Sequence, residues 1–167
     1  MLAGGKLTML DLTGKVAFVA GAGTVGPGWG NGKATAVLLA RQGAKVFATD
    51  INEAAANETR ELIAKEGGDC VVYRCNMTIA DEVRAATQAC IQRFGRIDIL
   101  INNAGGSAAG DPVSMSEEVW DSRLDLNHEN GVHGLQIRAA RDIRIPAVRA
   151  RVRQCPFPWR THEYQRR

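Results

Sequence analysis

KVAFVAGAGTVGPGWGNGKATAVLLARQG, residues 15–43, decides the fold. Its first six residues, KVAFVA, are almost wholly apolar and read as a buried strand. A loop dense in glycine follows, GAGTVGPGWGNG at 21–32. NGKATAVLLARQG, from Asn31, then reads as a helix stopped at Gly43. Strand, glycine loop and helix in immediate succession form the first half of a parallel crossover unit.

The alternation repeats outward from this segment. KVFATD (45–50) reads as a second strand, and NEAAANETRELIAKEGG (52–68) as a helix with a glycine stop. CVVYRC (70–75) is a third strand, Ile79 to Phe94 a third helix, and RIDILINNAGG (96–106) a fourth strand entering a loop. SEEVWDSRLDLN (116–127) opens a helix, with Ser116 as N-cap and acids in its first turn. Near-continuous apolar strands separated by helices imply a parallel sheet covered on both faces. The fold class expected is α/β: a partial doubly wound Rossmann fold with about four parallel strands in the order 3-2-1-4. An irregular C-terminal tail without well-packed tertiary structure is expected after it, although part of 132–150 has moderate helix propensity and could be helical.

Bulk properties narrow the function classes. The chain has 167 residues, 45% hydrophobic, enough for one domain with a real core. The longest apolar runs are short, so no membrane span is expected, and the N-terminus carries no secretory pattern. A cytoplasmic location follows as an expectation. The four cysteines, Cys70, Cys75, Cys90 and Cys155, form no C-x-x-C pair, and histidines at metal-ligand spacing are absent. No metal site is expected, and the cysteines read as core residues.

Charge is distributed unevenly. Residues 1–127 hold 12 basic and 15 acidic residues, whereas 128–167 hold 9 basic and 3 acidic, every basic one an arginine. The expected division is a dinucleotide-binding half-domain over 1–127 and a basic tail over 128–167.

Three clusters carry chemistry. Glycines at 21–32 let backbone approach a pyrophosphate at the start of a helix, whose N–H groups favour an anion. Outside the strand–turn–helix context the same run would read as a surface loop. Asp50 closes the second strand, where a carboxylate accepts ribose hydroxyls and repels the extra phosphate of NADP. It could also cap the following helix, and the two roles can coexist. Asn102-Asn103-Ala104-Gly105 ends the fourth strand, near the point where ligands enter such sheets, or forms a simple turn.

In order, the glycine loop, Asp50, NNAG at 102–105 and W-D-x-x-L-D-L-N at 120–127 resemble the short-chain dehydrogenase/reductase family over residues 10–127. The resemblance implies an oxidoreductase that moves hydride between an alcohol or ketone and a nicotinamide cofactor. The cofactor expected is NAD in preference to NADP. By the same resemblance Gly21, Gly30, Asn31 and Gly32 serve the pyrophosphate, and Asp50 and Ile51 the adenosine ribose. Asn76 and Met77 flank the adenine, and Asn103, Ala104 and Gly105 line the path to the nicotinamide. Asn127 matches the catalytic asparagine that holds a water of the proton relay. Two departures stand out. Eight residues separate Gly21 from Gly30 where the family has three, so Gly23, Gly26 and Gly28 compete for the phosphate role. Asn76 stands where aspartate is usual, and its carbonyl oxygen could accept from the adenine amine.

The family's serine and Tyr-x-x-x-Lys have no match in 128–167, where lysine is absent and Tyr164 precedes Gln165, Arg166 and Arg167. The chain as written is therefore expected to lack turnover, with Asn127 its one assignable catalytic residue. A shifted reading frame accounts for the tail. Back-translating HENGVHGLQIRAA (128–140) and dropping one base permits K-x-V-F-x-G-C-K-Y-V-L-P, similar to the family's continuation after the asparagine. A genuine basic tail or a splice variant are the alternatives. Two other function classes stay open: a non-catalytic nucleotide-binding module, and a nucleic-acid binder using the arginines with Phe157, Trp159 and Tyr164. The nucleic-acid reading ranks last, because no recognisable module accompanies it. The family forms homo-oligomers, but the altered tail removes that expectation here. An unpaired fourth strand and a marginal, aggregation-prone chain are expected as well.

Overall fold

The computed structural model describes residues 10–106 and 115–139. It contains β1 (Val16–Ala20), α1 (Asn31–Arg41), β2 (Lys45–Asp50), α2 (Glu53–Lys65), β3 (Cys70–Arg74), α3 (Ala80–Phe94), β4 (Ile99–Asn102) and α4 (Glu117–Ala139). The four strands pair in parallel in the order β3-β2-β1-β4. The expected doubly wound topology is present.

Strand periodicity sorts the core into two layers. Val16, Phe18, Ala20 and Phe47 point to one face, where Val83, Ala86 and Cys90 of α3 and Ile137 of α4 cover them. Ala17, Val19, Val46 and Ala48 point to the other, under Ala36 and Val37 of α1 and Ile63 of α2. β1 is buried at every residue because it lies between β2 and β4 with helices on both sides. Phe47 is the hub of the first layer. Its ring stacks on Phe18 at 5.4 Å and Tyr73 at 5.9 Å and meets Phe94 edge-on at 6.5 Å.

Several helix boundaries have a local cause. Asn52 caps α2 by accepting from Ala55 N at 3.3 Å. Gly95 ends α3 with a left-handed φ of 77°. Ser116 Oγ accepts from Val119 N at the start of α4. That helix crosses the 127/128 boundary without a break and reaches Ala139, so it enters the stretch of the tail in which the sequence allowed helix. Ile137 is 2% exposed in the α3-side core, and that burial ties the end of the helix to the sheet. The tail from 140 lies outside the described residues.

Among the described residues no helix is long and apolar enough to cross a membrane, and no group of three metal-ligating side chains converges. Cys75 and Cys90 are buried, Cys70 is half-buried, and all three are thiols. Burial pushes the Cys70 thiol up to about 12, Cys75 to about 11 and Cys90 to about 12. At roughly pH 8 the folded chain should therefore resist iodoacetamide at these three positions and react there only after denaturation. Rapid alkylation of Cys90 in the folded chain, read by peptide mass spectrometry, would contradict this packing.

Candidate functional site

The sheet reverses direction at β1. The chain builds outward through β2 and β3, then returns to place β4 on the opposite side of β1. The loops that follow the strands therefore gather beyond their carboxyl ends, where the crevice of such sheets lies. The residues that form it are tightly tied. Gly21 N and Ala22 N both donate to Thr49 O, at 2.8 and 2.9 Å. Asn103 N donates to Ala20 O at 3.0 Å, and Asn103 Nδ2 to Gly21 O at 2.8 Å. Gly21 has φ 74°, and a Cβ there would stand 2.7 Å from Ala104 N. A Cβ at Gly32 would overlap the Gly21 carbonyl oxygen and lie 2.6 Å from Asn103 Nδ2. Three segments converge so closely that only glycine fits between them.

The start of α1 is prepared for an anion. Gly30 is its N-cap in an extended conformation, no side chain caps the helix, and its first turn holds no acid. The positive end of the helix dipole is therefore not neutralised from within. Lys33 is buried on the inner face, with Nζ 3.1 Å from Glu58 Oε2. Among the competing glycines, Gly23 is constrained by space: a Cβ there would lie 2.7 Å from Ala55 Cβ and 2.9 Å from Asp50 Oδ2. At Gly26 and Gly28 a Cβ would meet nothing, so those two shape the loop rather than a close approach.

Asp50 is locked at the end of β2. Gly23 N donates to Oδ2 at 2.8 Å and Asn52 N to Oδ1 at 2.9 Å. The α2 cap is Asn52, so Asp50 is not the helix cap that the sequence left open. Each carboxylate oxygen keeps a further lone pair for an outside donor. At the end of β3, Asn76 N donates to Glu82 Oε2 at 2.8 Å, while Asn76 Oδ1 accepts from Thr78 N at 3.1 Å and Thr78 Oγ1 at 2.9 Å.

One cavity of about 480 Å³ gathers most of the expected residues: Gly21, Asp50, Ile51, Asn76, Met77, Asn103, Ala104 and Gly105. Gly30, Asn31 and Gly32 stand outside its lining, at the start of α1. Asn127 is also outside. Its Oδ1 accepts from Gly106 N at 3.2 Å, and its Nδ2 donates to Gly106 O at 3.1 Å and Arg123 O at 2.8 Å. In this arrangement Asn127 clamps the loop after β4 onto α4, and a Cβ at Gly105 would lie 2.5 Å from its Oδ1. Sequence reasoning missed Thr24, Val25, Asn52, Cys75 and Leu126, which together with Gly23 complete the lining. Only the spacing of Asn52 from Asp50 offered a signal for any of them. A second cavity of about 410 Å³ lies at the opposite ends of the strands, beside the paired Arg41 and Glu66, and holds none of the expected residues.

The arrangement can hold a phosphate at an acid-free helix start and a vicinal diol on a fixed carboxylate. Comparison with known proteins shows the family. A family profile described as short chain dehydrogenase matches residues 15–140. The chain is 41% identical over 130 residues to the 7alpha-hydroxysteroid dehydrogenase of Escherichia coli K12, covering 78% of this chain and 49% of that protein. It superimposes on a short-chain dehydrogenase/reductase from Burkholderia xenovorans with a TM-score of 0.71 at 40% identity, covering 76% of this chain and 50% of that one. A metagenomic short-chain oxidoreductase in complex with NADP matches with a TM-score of 0.66 at 29% identity, over 76% of this chain and 56% of that one. The chain spans about half the length of the curated relatives it matches.

Proposed function

Because the chain belongs to the short-chain dehydrogenase family, we propose that these residues form the NAD-capturing half of an oxidoreductase acting on a small alcohol or ketone. The observation that carries the reading is Asp50, a carboxylate held rigidly by two backbone N–H groups at the mouth of the cavity. A preset acceptor loses little freedom when two ribose hydroxyls arrive, and its charge opposes a 2′-phosphate.

The residues present fit the cofactor. The close approach of Gly21 and Gly32 supports a cradle for the pyrophosphate, with Gly30 and Asn31 at the helix start. Ile51 and Met77 border the adenosine end, and Asn103, Ala104 and Gly105 the nicotinamide end. When bound, the nicotinamide would supply hydride exchange with a substrate carbon. The chain's own residues bind and orient. Asn103 holds the glycine loop at Gly21, and Asn127 holds Gly106, so the floor of the nicotinamide end is fixed before any ligand enters. Asn127 donates and accepts hydrogen bonds but has no titratable proton to give. Residues 128–167 contain no Tyr-x-x-x-Lys to serve as general acid. The work assigned to this stretch of chain is therefore cofactor capture.

Calorimetric titration of the chain with NAD and NADP tests the reading. NAD should bind at least about tenfold more tightly, the equivalent of ~1.4 kcal/mol. Equal or tighter binding of NADP would remove Asp50 from the ribose, and failure to bind either would remove the dinucleotide reading.

A further inference from the structure

We infer that the base end of this cavity presents a hydrogen-bond donor, the Asn76 amide, so that a dinucleotide carrying a 6-oxopurine is held as well as one carrying adenine. The inference rests on the dinucleotide reading of the cavity and adds the chemistry by which the base is met.

The position of the base follows from the strand order. The phosphate-binding helix start lies over β1, Asp50 ends β2, and Cys75–Met77 follow β3 at the outer edge of the sheet. With phosphates at α1 and a ribose on Asp50, the base falls beside Ile51, Asn76 and Met77. Ile51 is 57% exposed and offers an apolar surface, and Met77 is buried beneath. Asn76 is the polar side chain of this trio.

Its orientation is set by backbone. The carbonyl oxygen accepts from both the main-chain N–H and the hydroxyl of Thr78. Turning the amide over would set its NH₂ group against the Thr78 N–H, donor against donor, and would lose a bond that the backbone cannot offer elsewhere. The main chain of Asn76 is fixed as well, through Glu82 Oε2 on its N–H and Ile79 N on its carbonyl. The end of the side chain that remains for a ligand is Nδ2, which only donates. An aspartate at this position would keep the Thr78 turn with one oxygen and offer the other as an acceptor. The exocyclic amine of adenine is itself a donor and finds no acceptor in Nδ2, whereas the 6-carbonyl of hypoxanthine does. The charged neighbours do not change this. Glu82 accepts from Asn76 N, and Arg74 NH1 lies 3.7 Å from the same Glu82 oxygen.

The probes are NAD and nicotinamide hypoxanthine dinucleotide, titrated calorimetrically into the full chain and into Asn76→Asp. The wild-type chain should bind the two within about threefold of each other, and Asn76→Asp should favour NAD by about tenfold, the value of one hydrogen bond. A wild-type preference for NAD of tenfold or more, or an unchanged ratio in Asn76→Asp, overturns the inference and leaves the dinucleotide reading standing. If neither probe binds, both fail. Should Asn76→Asp not fold, competition of AMP and IMP on the wild-type chain decides: equal potency supports the donor, and a tenfold advantage for AMP overturns it.

Discussion

Gly32→Ala should abolish dinucleotide binding and destabilise the chain by ~3 kcal/mol or more, at the upper end of overpacking effects. The added methyl group would overlap the Gly21 carbonyl oxygen and press on Asn103 Nδ2. The first is backbone, and the second, a side-chain end, is held on that same oxygen at 2.8 Å. Gly21 is anchored through Thr49 O, and Asn103 through Ala20 O, so relief would need α1 to withdraw from the sheet. Withdrawal would also carry the helix start away from the site of the phosphate. Gly26→Ala is the control, since its Cβ would meet nothing within 4 Å. Urea melts and calorimetry on the two variants separate the cases. Gly32→Ala with unchanged affinity would show that close approach of this loop has no part in binding.

Asp50→Ala should weaken NAD binding by about a hundredfold and cost ~2 kcal/mol of stability, since bonds to a charged acceptor contribute about 1.5–3 kcal/mol each. Two effects combine. The ribose hydroxyls lose their acceptor, and Gly23 N and Asn52 N lose theirs, which loosens both the glycine loop and the entry to α2. Binding of NADP should fall much less, because removing the negative charge offsets the other losses. The ratio of the two dissociation constants is the decisive reading. NAD affinity unaltered in Asp50→Ala would place the ribose elsewhere.

Much of this architecture was legible beforehand for specific reasons. VAFVA and VFAT carry no interior polar residue, which identifies strands buried on both faces. Gly43, Gly67 and Gly95 take positive φ after their helices, so the punctuation was chemical and local. The cavity lining was legible where a single residue type suffices, as with Asp50 at a strand end. It was less legible where partners decide the role. Which glycines are irreplaceable depends on what stands opposite each one, and Gly23 and Gly26 look alike in sequence. The bonds from the Asn127 amide to Gly106 were likewise not legible, because they depend on where the loop after β4 lies. Helix within the tail was legible from propensity, but the burial of Ile137 was hidden, because it reaches the core only through the position of α3 and the sheet.

Sequence by itself determined the order and kind of the elements, the doubly wound topology and the end of the sheet at which the candidate residues gather. Those properties rest on local propensity, apolar periodicity and the handedness of crossovers, all of which act between near neighbours along the chain. Tertiary structure alone decided that Gly32 packs on Gly21, that Asn103 reaches back across 82 positions to the glycine loop, and that Thr78 turns the Asn76 amide donor-outward. Such facts depend on distances of a few tenths of an ångström between segments far apart in sequence or on the path of a single turn. No pattern of residue types encodes them until the sheet has brought the loops together.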